Sequence, residues 1–229
     1  MSLFDGEVAD AVAHAREAVT RGRTFTSLVP AREVYLGLAL ANADQHDEAD
    51  IWFRKGQAEA EAVSDLWLVS RFQLARMSTE VLTGDWESVV ADAEAVVALH
   101  DDTGMGTGMP QAPAAAGVVA VKRGEPEEVV NRYRELAGHH AKEGAELAGL
   151  MFTAWMEGLI AERDGRRADA AGVMAFLFDT VIGNARLVQL WLAPDVVRVL
   201  LAAGDCRPGA DIAETMTVFA RDVVQVASA

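Results

Sequence analysis

The stretch Leu82-Thr83-Gly84-Asp85-Trp86-Glu87-Ser88-Val89-Val90 decides the fold, because it marks the turn between two helices. An apolar-periodic helix stops at Gly84, the residue type that reaches the left-handed conformation without a Cβ penalty. Asp85 is placed to cap the next helix by accepting hydrogen bonds from its unpaired N–H groups, and Glu87 suits the positive end of that helix dipole. The stretch therefore predicts the tight corner of a helical hairpin.

The same corner recurs along the chain at a nearly constant interval. The steps from one corner to the next are 40, 40, 41 and 39 residues. The five corner positions are Asp44, Gly84, Gly124, Gly165 and Gly204. So regular a period predicts a helical repeat array, in which each unit buries its apolar face only against its neighbours.

Apolar residues at helical spacing place one helix pair around each corner. A loop over 101–113, rich in Gly and Pro, interrupts the pattern, and an unpaired helix opens the chain. Glycines seven residues before three of the corners (Gly37, Gly117 and Gly158) predict close helix approach. The eleven predicted helices span 6–21, 31–43, 46–63, 66–83, 86–100, 114–123, 126–142, 148–163, 168–181, 188–203 and 210–226.

The array occupies the whole chain, so we interpret residues 1–229 as one helical repeat domain. Its start supplies half a hairpin, and its end lacks the polar capping helix that stacked repeats need for solubility. We therefore expect a piece of a longer protein, or an array whose ends a partner covers.

Composition narrows the class of protein. The 229 residues are 51% hydrophobic, which is ample for a core, and carry a formal net charge of −15, which argues against a general nucleic-acid surface. The one cysteine, Cys206, excludes an internal disulfide and fits a reducing compartment. No uninterrupted apolar run reaches the roughly 18 residues of a membrane span. We expect a soluble cytoplasmic protein that does not enter a membrane.

The first complete unit resembles a tetratricopeptide repeat. Leu36-Gly37, Ala49 and Phe53 match that repeat's pattern of small and large residues, which lets two helices nest. The period is longer than the roughly 34 residues typical of the repeat, so the helices or loops are longer. HEAT and armadillo repeats share the longer period but lack the Gly/Asp corner. The resemblance implies an all-α fold, a right-handed superhelix of antiparallel helix pairs.

The residue pattern of the chain also resembles the repeat region of the large ATP-binding LuxR-type transcription regulators of actinobacteria. The resemblance covers nearly the whole chain. It consists of alanine-rich repeats and includes no catalytic signature. The segments that carry it are Tyr35–Leu40 with Asp47–Ala49, Leu82–Glu87 with Ala91–Ala95, and Trp191–Asp205.

Members of that family carry an ATPase module before the repeats and a helix-turn-helix after them. This sequence has no G-x-x-x-x-G-K-[ST] and no basic recognition helix. The resemblance therefore implies a non-enzymatic sensor domain that binds a small-molecule effector or a protein or peptide partner, contacts no nucleic acid and needs no cofactor. Two alternatives stay open: a stand-alone tetratricopeptide adaptor, and an enzyme on a helical array, for which no acid–base or nucleophile constellation is present.

Three local features invite chemistry but have simpler interpretations. The glycines at 104, 106 and 108 lack the preceding strand and the Lys of a phosphate loop, so a flexible connector is favoured. In the stretch His139-His140 followed by Glu143, His139 and Glu143 are four apart on one helical face, but two ligands are too few for a closed zinc site, and a solvated helix end is favoured. Cys206 has no cysteine partner and no evident His base, so it gets no catalytic role.

The first helix of each pair is predicted to face a concave groove. Cations on this face contrast with the acidic chain, and aromatic residues accompany them. This pattern predicts a groove for a peptide or an acidic small molecule, and the alternative is that the same residues serve interhelical packing and solvated rims. The candidate groove residues are Arg71, Lys122, Trp155, Arg163, Trp191 and Arg198.

Overall fold

The structure, a computed structural model, describes residues 8–21, 32–104, 110–141, 147–179, 186–206 and 217, without the side chains of 186–191. These residues form ten α-helices and no strand, which confirms the all-α prediction. The helices are α1 (Val8–Thr20), α2 (Arg32–Asn42), α3 (His46–Ala62), α4 (Leu66–Thr83), α5 (Trp86–Thr103), α6 (Gln111–Arg123), α7 (Glu127–Ala141), α8 (Leu147–Arg163), α9 (Arg167–Leu177) and α10 (Arg186–Ala202).

The predicted loop over 101–113 is too long at both ends. The helix α5 continues to Thr103, and Gly104 then stops it at φ 65° by donating its N–H to the His100 carbonyl at 2.7 Å. At the other end α6 begins at Gln111 and contains Pro113 in its first turn. Proline is tolerated there because the N–H groups of the first turn have no helical partner. The predicted helix over 210–226 lies outside the described residues, apart from residue 217.

All five predicted corners are present and share one backbone geometry. The corner residues have positive φ values of 61°, 79°, 68°, 76° and 90° for Asp44, Gly84, Gly124, Gly165 and Gly204. After each corner, the next N–H donates to the carbonyl five residues earlier, over 2.8–3.1 Å, as in the Schellman helix end. The predicted cap is also confirmed, since the Asp85 carboxylate accepts from the Ser88 N–H at 3.3 Å.

The predicted close approach at the helical glycines is confirmed. A Cβ on Gly37 would lie 2.3 Å from the Phe53 ring, and one on Gly117 would lie 2.2 Å from the Met156 sulfur. A Cβ on Gly158 would likewise lie 2.7 Å from a methionine methyl group. Because these distances are shorter than van der Waals contact, only glycine lets the helices pack this closely.

Each helix from α1 to α9 packs against the helix that follows it in the chain. The first helices of successive pairs also contact one another: α2 with α4, α4 with α6, and α6 with α8. The apolar core forms two clusters that meet at α4, one running from Val8 to Ala75 and the other from Leu74 to Leu200. In the centre, α6 is buried from Gln111 to Ala120, and only its last three residues are more exposed. The first helices are therefore the inner layer, and the second helices α5, α7 and α9 lie outside it.

Candidate functional site: a cleft between α5 and α7

The face predicted to line a groove is mostly inside the protein. Trp155 is 2% exposed, and Val118 and Leu159, which lie on the first helices α6 and α8 predicted to face the groove, are 0% and 3% exposed. The reason is that α6 and α8 pack closely against each other, so the face between them is filled by side chains. The structure thus places the Trp155 indole in the core, where a ligand reaches it only if helices separate.

Three of the predicted residues converge on a carboxylate that the sequence analysis did not single out, that of Asp195. Lys122 Nζ lies 2.7 Å from Asp195 Oδ2, and the Trp155 indole N–H donates to the same oxygen at 2.9 Å. Arg198 donates to Asp195 Oδ1 at 3.0 Å, and the Lys122 ammonium lies 5.4 Å from the centroid of the Trp155 ring. One carboxylate therefore joins α6, α8 and α10.

The electrostatics of Asp195 suit a structural role. Burial acts to raise the pKa of its carboxyl, but the hydrogen bonds from Lys122, Arg198 and Trp155 outweigh burial and hold the pKa below its usual value. Both carboxylate oxygens are engaged, so the group has no position free for a ligand. The available sequence signal was an acidic residue inside the apolar run 192–197.

Arg71 and Arg163 do not join this cluster. The Arg71 guanidinium lies 5.8 Å from the centroid of the Trp67 ring, on α4. Arg163 Nε lies 3.5 Å from Asp164 Oδ1, and the Arg163 side chain is 29% exposed. Trp191 lies on α10, but its side chain is outside the described part of the chain. The six predicted residues therefore do not form one site.

A second buried charge cluster lies where the two apolar cores meet. Arg76 donates to both carboxylate oxygens of Asp92, at 2.7 and 2.5 Å, and to Gln57 Oε1 at 3.2 Å. Its Nε also lies 3.4 Å from Glu80 Oε1. Burial and the nearby Asp92 charge raise the pKa of Glu80 to about 8, although Arg76 opposes the rise. This cluster fastens α4 to α3 and α5, and sequence alone signalled only the Arg76/Glu80 spacing.

An accessible cavity is found on the outer layer. It has a volume of about 190 Å³ and lies between the second helices α5 and α7, with α6 closing its floor. The lining residues are Ala93, Glu94, Val97, Ala98 and Asp101 from α5, Pro113 from α6, and Arg132, Tyr133 and Leu136 from α7. We call this cavity the α5/α7 cleft.

A local reversal of side-chain sizes accompanies the cleft. Nine residues after the corner, three units carry a large side chain on the second helix: Phe53, Tyr133 and Met174. The unit around Gly84 instead carries Ala93 there and Met77 on the first helix, where the units around Asp44, Gly124 and Gly165 have glycine. Both residues are buried, at 1% and 0% exposure, so the pair still fills the core. The helix α5 consequently presents a small residue at the cleft.

The rim of the cleft is charged and its depth is apolar. The Tyr133 hydroxyl donates to Glu94 Oε1 at 3.2 Å, and Arg132 lies 3.4 Å from the same oxygen. Burial and the Glu94 charge raise the pKa of Tyr133 above its usual value, and the protonated hydroxyl is the donor to Glu94. The Asp101 side chain is exposed and forms no ion pair or hydrogen bond with the described residues. The rim thus offers one unengaged carboxylate and one that is shared.

Beyond the cleft, α5 and α7 meet again through histidines. The His140 ring packs edge-on against His100 with centroids 5.0 Å apart, and His139 lies 5.3 Å from His140. His140 is only 4% exposed, so the prediction of a solvated helix end was wrong for this residue. Its imidazole is buried because the two helices converge here, whereas His139 is exposed.

Neither metal ligation nor a membrane span is found in the described ranges. No group of three or more His, Cys, Asp or Glu side chains there could hold a metal ion, and Glu143 lies outside those ranges. No helix among them is long and apolar enough to cross a bilayer. Cys206 is a free, exposed cysteine at the last described corner.

Comparison with known proteins finds no relative: no protein-family model, no curated protein and no solved structure matches this chain.

Proposed function

We propose that this chain is a non-enzymatic regulatory domain that senses an effector or a protein partner, as the repeat region of a LuxR-type transcription regulator does. The proposed arrangement is a right-handed, tetratricopeptide-like superhelix of helix pairs. The observation that supports the proposal best is the fivefold repetition of one corner geometry at steps of 39–41 residues. Arrays of like units build extended binding surfaces, and their function is usually recognition.

Contacts between successive units make such an array suited to sensing. Glu94 and Tyr133, His100 and His140, and Trp155 and Asp195 join side chains 39, 40 and 40 residues apart, so each contact bridges two units. A ligand in the α5/α7 cleft would touch two second helices at once. Its binding free energy would therefore depend on the relative orientation of the two units. Such a dependence is required if ligand binding is to be coupled to a change at another site.

The buried carboxylates favour a binding role over an enzymatic one. Asp195 and Asp92 are each held by cationic side chains, so they stabilise helix packing and are poorly placed to transfer protons. The single cysteine fits a reducing compartment, and we place the domain in the cytoplasm on that ground.

The coding sequence on either side of residues 1–229 tests the proposal directly. A phosphate-binding loop encoded upstream and a helix-turn-helix encoded downstream would support the LuxR-type regulator. A stop codon soon after Ala229, with no phosphate-binding loop upstream, would overturn that proposal and favour the alternative, a stand-alone adaptor for protein–protein interaction. In a regulator, replacement of Ala98 by Leu to fill the cleft should change how an effector alters ATPase activity or DNA binding.

A further inference from the structure

The α5/α7 cleft combines an apolar depth with an acidic rim. Pro113 on α6, Val97 on α5 and Leu136 on α7 form apolar walls, and the alanines of α5 leave the space between them. Ala93 and Pro113 are buried, whereas Ala98 and Asp101 are exposed, so the cleft runs from the core to the surface. A ligand that fits this shape has an apolar body and a polar end that stays at the rim.

The charges at the rim select the sign of that polar end. Glu94 accepts from Arg132 and Tyr133, and its side chain is 49% exposed, so it has lone pairs left for another donor. Asp101 is engaged by no described residue. With two carboxylates and one guanidinium, the rim has a net negative charge, and the −15 charge of the whole chain adds an attractive field for cations.

We infer that the α5/α7 cleft binds a small organic cation, an ammonium group on a compact apolar body, and that this cation is the effector of the domain. The ammonium donates hydrogen bonds to Asp101, and the Glu94 carboxylate adds to the negative potential of the rim, while the apolar body packs against Val97, Leu136 and Pro113. The cavity of about 190 Å³ limits the ligand to one ring or a short branched chain. The role as effector rests on the proposed regulatory function, but the binding itself does not.

Three probes of matched size test the inference on the whole chain. They are 2-phenylethylamine, which is cationic at neutral pH, 2-phenylethanol, which is neutral, and 3-phenylpropionate, which is anionic. Titration calorimetry or ligand-observed NMR at low salt should show binding of the amine about tenfold tighter than that of the alcohol, and no binding of the carboxylate. Equal binding of all three probes, or no binding of the amine, would overturn the inference.

Four variants locate the binding at the cleft. Asp101→Asn should weaken amine binding about fivefold. The control is Asp102→Asn, which makes the same charge change at the neighbouring exposed residue that does not line the cleft. It should leave the affinity for the amine within about twofold of the wild-type value. Arg132→Gln should tighten binding about threefold, because it frees Glu94 and removes a repelling cation. Ala98→Leu should weaken it at least about tenfold by filling the space.

The two proposals fail in different ways. If Asp101→Asn and Asp102→Asn weaken binding equally, the amine is held by general charge and the site is overturned, whatever the flanking coding sequence encodes. If the amine binds in the cleft as described but no phosphate-binding loop or helix-turn-helix flanks the domain, the binding site stands and the LuxR-type regulatory function is overturned.

Discussion

The indole N–H of Trp155 donates to the carboxylate of Asp195 at 2.9 Å, across a separation of 40 residues that matches the repeat period. Both residues are buried, at 2% and 6% exposure. The same carboxylate receives Lys122 from the preceding unit, so it links three successive units through their first helices. Three of the six residues predicted to form a binding face, Lys122, Trp155 and Arg198, are thus partners of one buried anion.

Replacement of Asp195 by Asn should destabilise the protein by about 2–3 kcal/mol. The change removes the charge that holds Lys122 and Arg198. Because these two side chains are 30% and 50% exposed and can turn toward water, the loss of stability stays below that of a fully buried ion pair. Urea denaturation at pH 7 measures the difference. Asp169→Asn, at a carboxylate 63% exposed, is the matched control and should change stability little.

The same aspartate should make the wild type sensitive to acid. Its pKa is lowered in the folded state, so its contribution is present above the unfolded value of 3.8 and is lost as pH falls through the lower folded value. Urea midpoints measured between pH 6 and pH 2.5 should therefore fall less steeply for Asp195→Asn than for wild type. Parallel curves for the two proteins would contradict the role given to this carboxylate.

Glu80 should give the protein a stability that declines as pH rises. The folded state keeps the Glu80 proton up to a pKa of about 8, while the unfolded chain releases it near 4.5, so the unfolded state binds fewer protons between these values. Its contribution is fully present below pH 4.5 and is lost as pH rises through about 8.

Replacement of Glu80 by Gln, which cannot ionise, should flatten that decline. Between pH 5 and 8.5 we expect wild type to lose on the order of 1–2 kcal/mol relative to the variant, a value reduced for the solvent access that remains at this side chain. Guanidinium denaturation at several pH values checks this. The exposed Glu87→Gln is the control, and a wild-type slope shared by both variants would exclude Glu80 as the titrating group.

Two helical glycines should respond to alanine with opposite signs. A Cβ at Gly117 would lie 2.2 Å from the Met156 sulfur, whereas a Cβ at Gly138 meets nothing within 4 Å. Alanine favours a helix by about 1 kcal/mol in both places, but overpacking at Gly117 should outweigh that gain and leave a net loss of about 1–2 kcal/mol. Thermal and urea unfolding of Gly117→Ala and Gly138→Ala give the comparison, and a gain in both would mean that Met156 moves aside freely.

The corner at Asp44 should be improved by glycine. Asp44 has φ 61°, a left-handed conformation that other corners fill with Gly, and its carboxylate makes only an exposed contact with His46 at 3.0 Å. Asp44→Gly should therefore raise stability by about 0.5–1 kcal/mol. Loss of glycine at an equivalent corner, Gly84→Ala at φ 79°, should lower stability by about 1 kcal/mol. Urea unfolding that ranks the two variants the other way would contradict the shared geometry.

Local signals in the sequence were sufficient for the corners and for the helix ends around them. The predicted helix over 66–83 matches α4, and Asp85 caps α5 as expected. These features depend on backbone conformation and on hydrogen bonds within a few residues, so the residue types near the turn are enough to predict them. The loop predicted over 101–113 was too long at its end, because a helix tolerates Pro113 in its first turn.

The candidate site could not be predicted in the same way. The groove residues were assigned from their positions around the first helices. Such a position specifies the direction in which a side chain points, but it does not specify whether another helix covers that side chain. Trp155 is covered because α6 and α8 approach closely. The α5/α7 cleft lies on the outer helices, where the size reversal at Met77 and Ala93 was visible in the sequence but was not interpreted.

The sequence by itself determined the period, the left-handed corners and the helical class of this protein, because each follows from short-range sterics and hydrogen bonding. Only the tertiary structure decided which charges are buried and where a cavity remains. Packing between units brings Asp195 to Lys122 and Trp155, and Glu94 to Tyr133. The distances between these side chains depend on every side chain packed between the units. The corner at Gly84 sets where α5 begins, and the neighbouring unit decides what α5 faces.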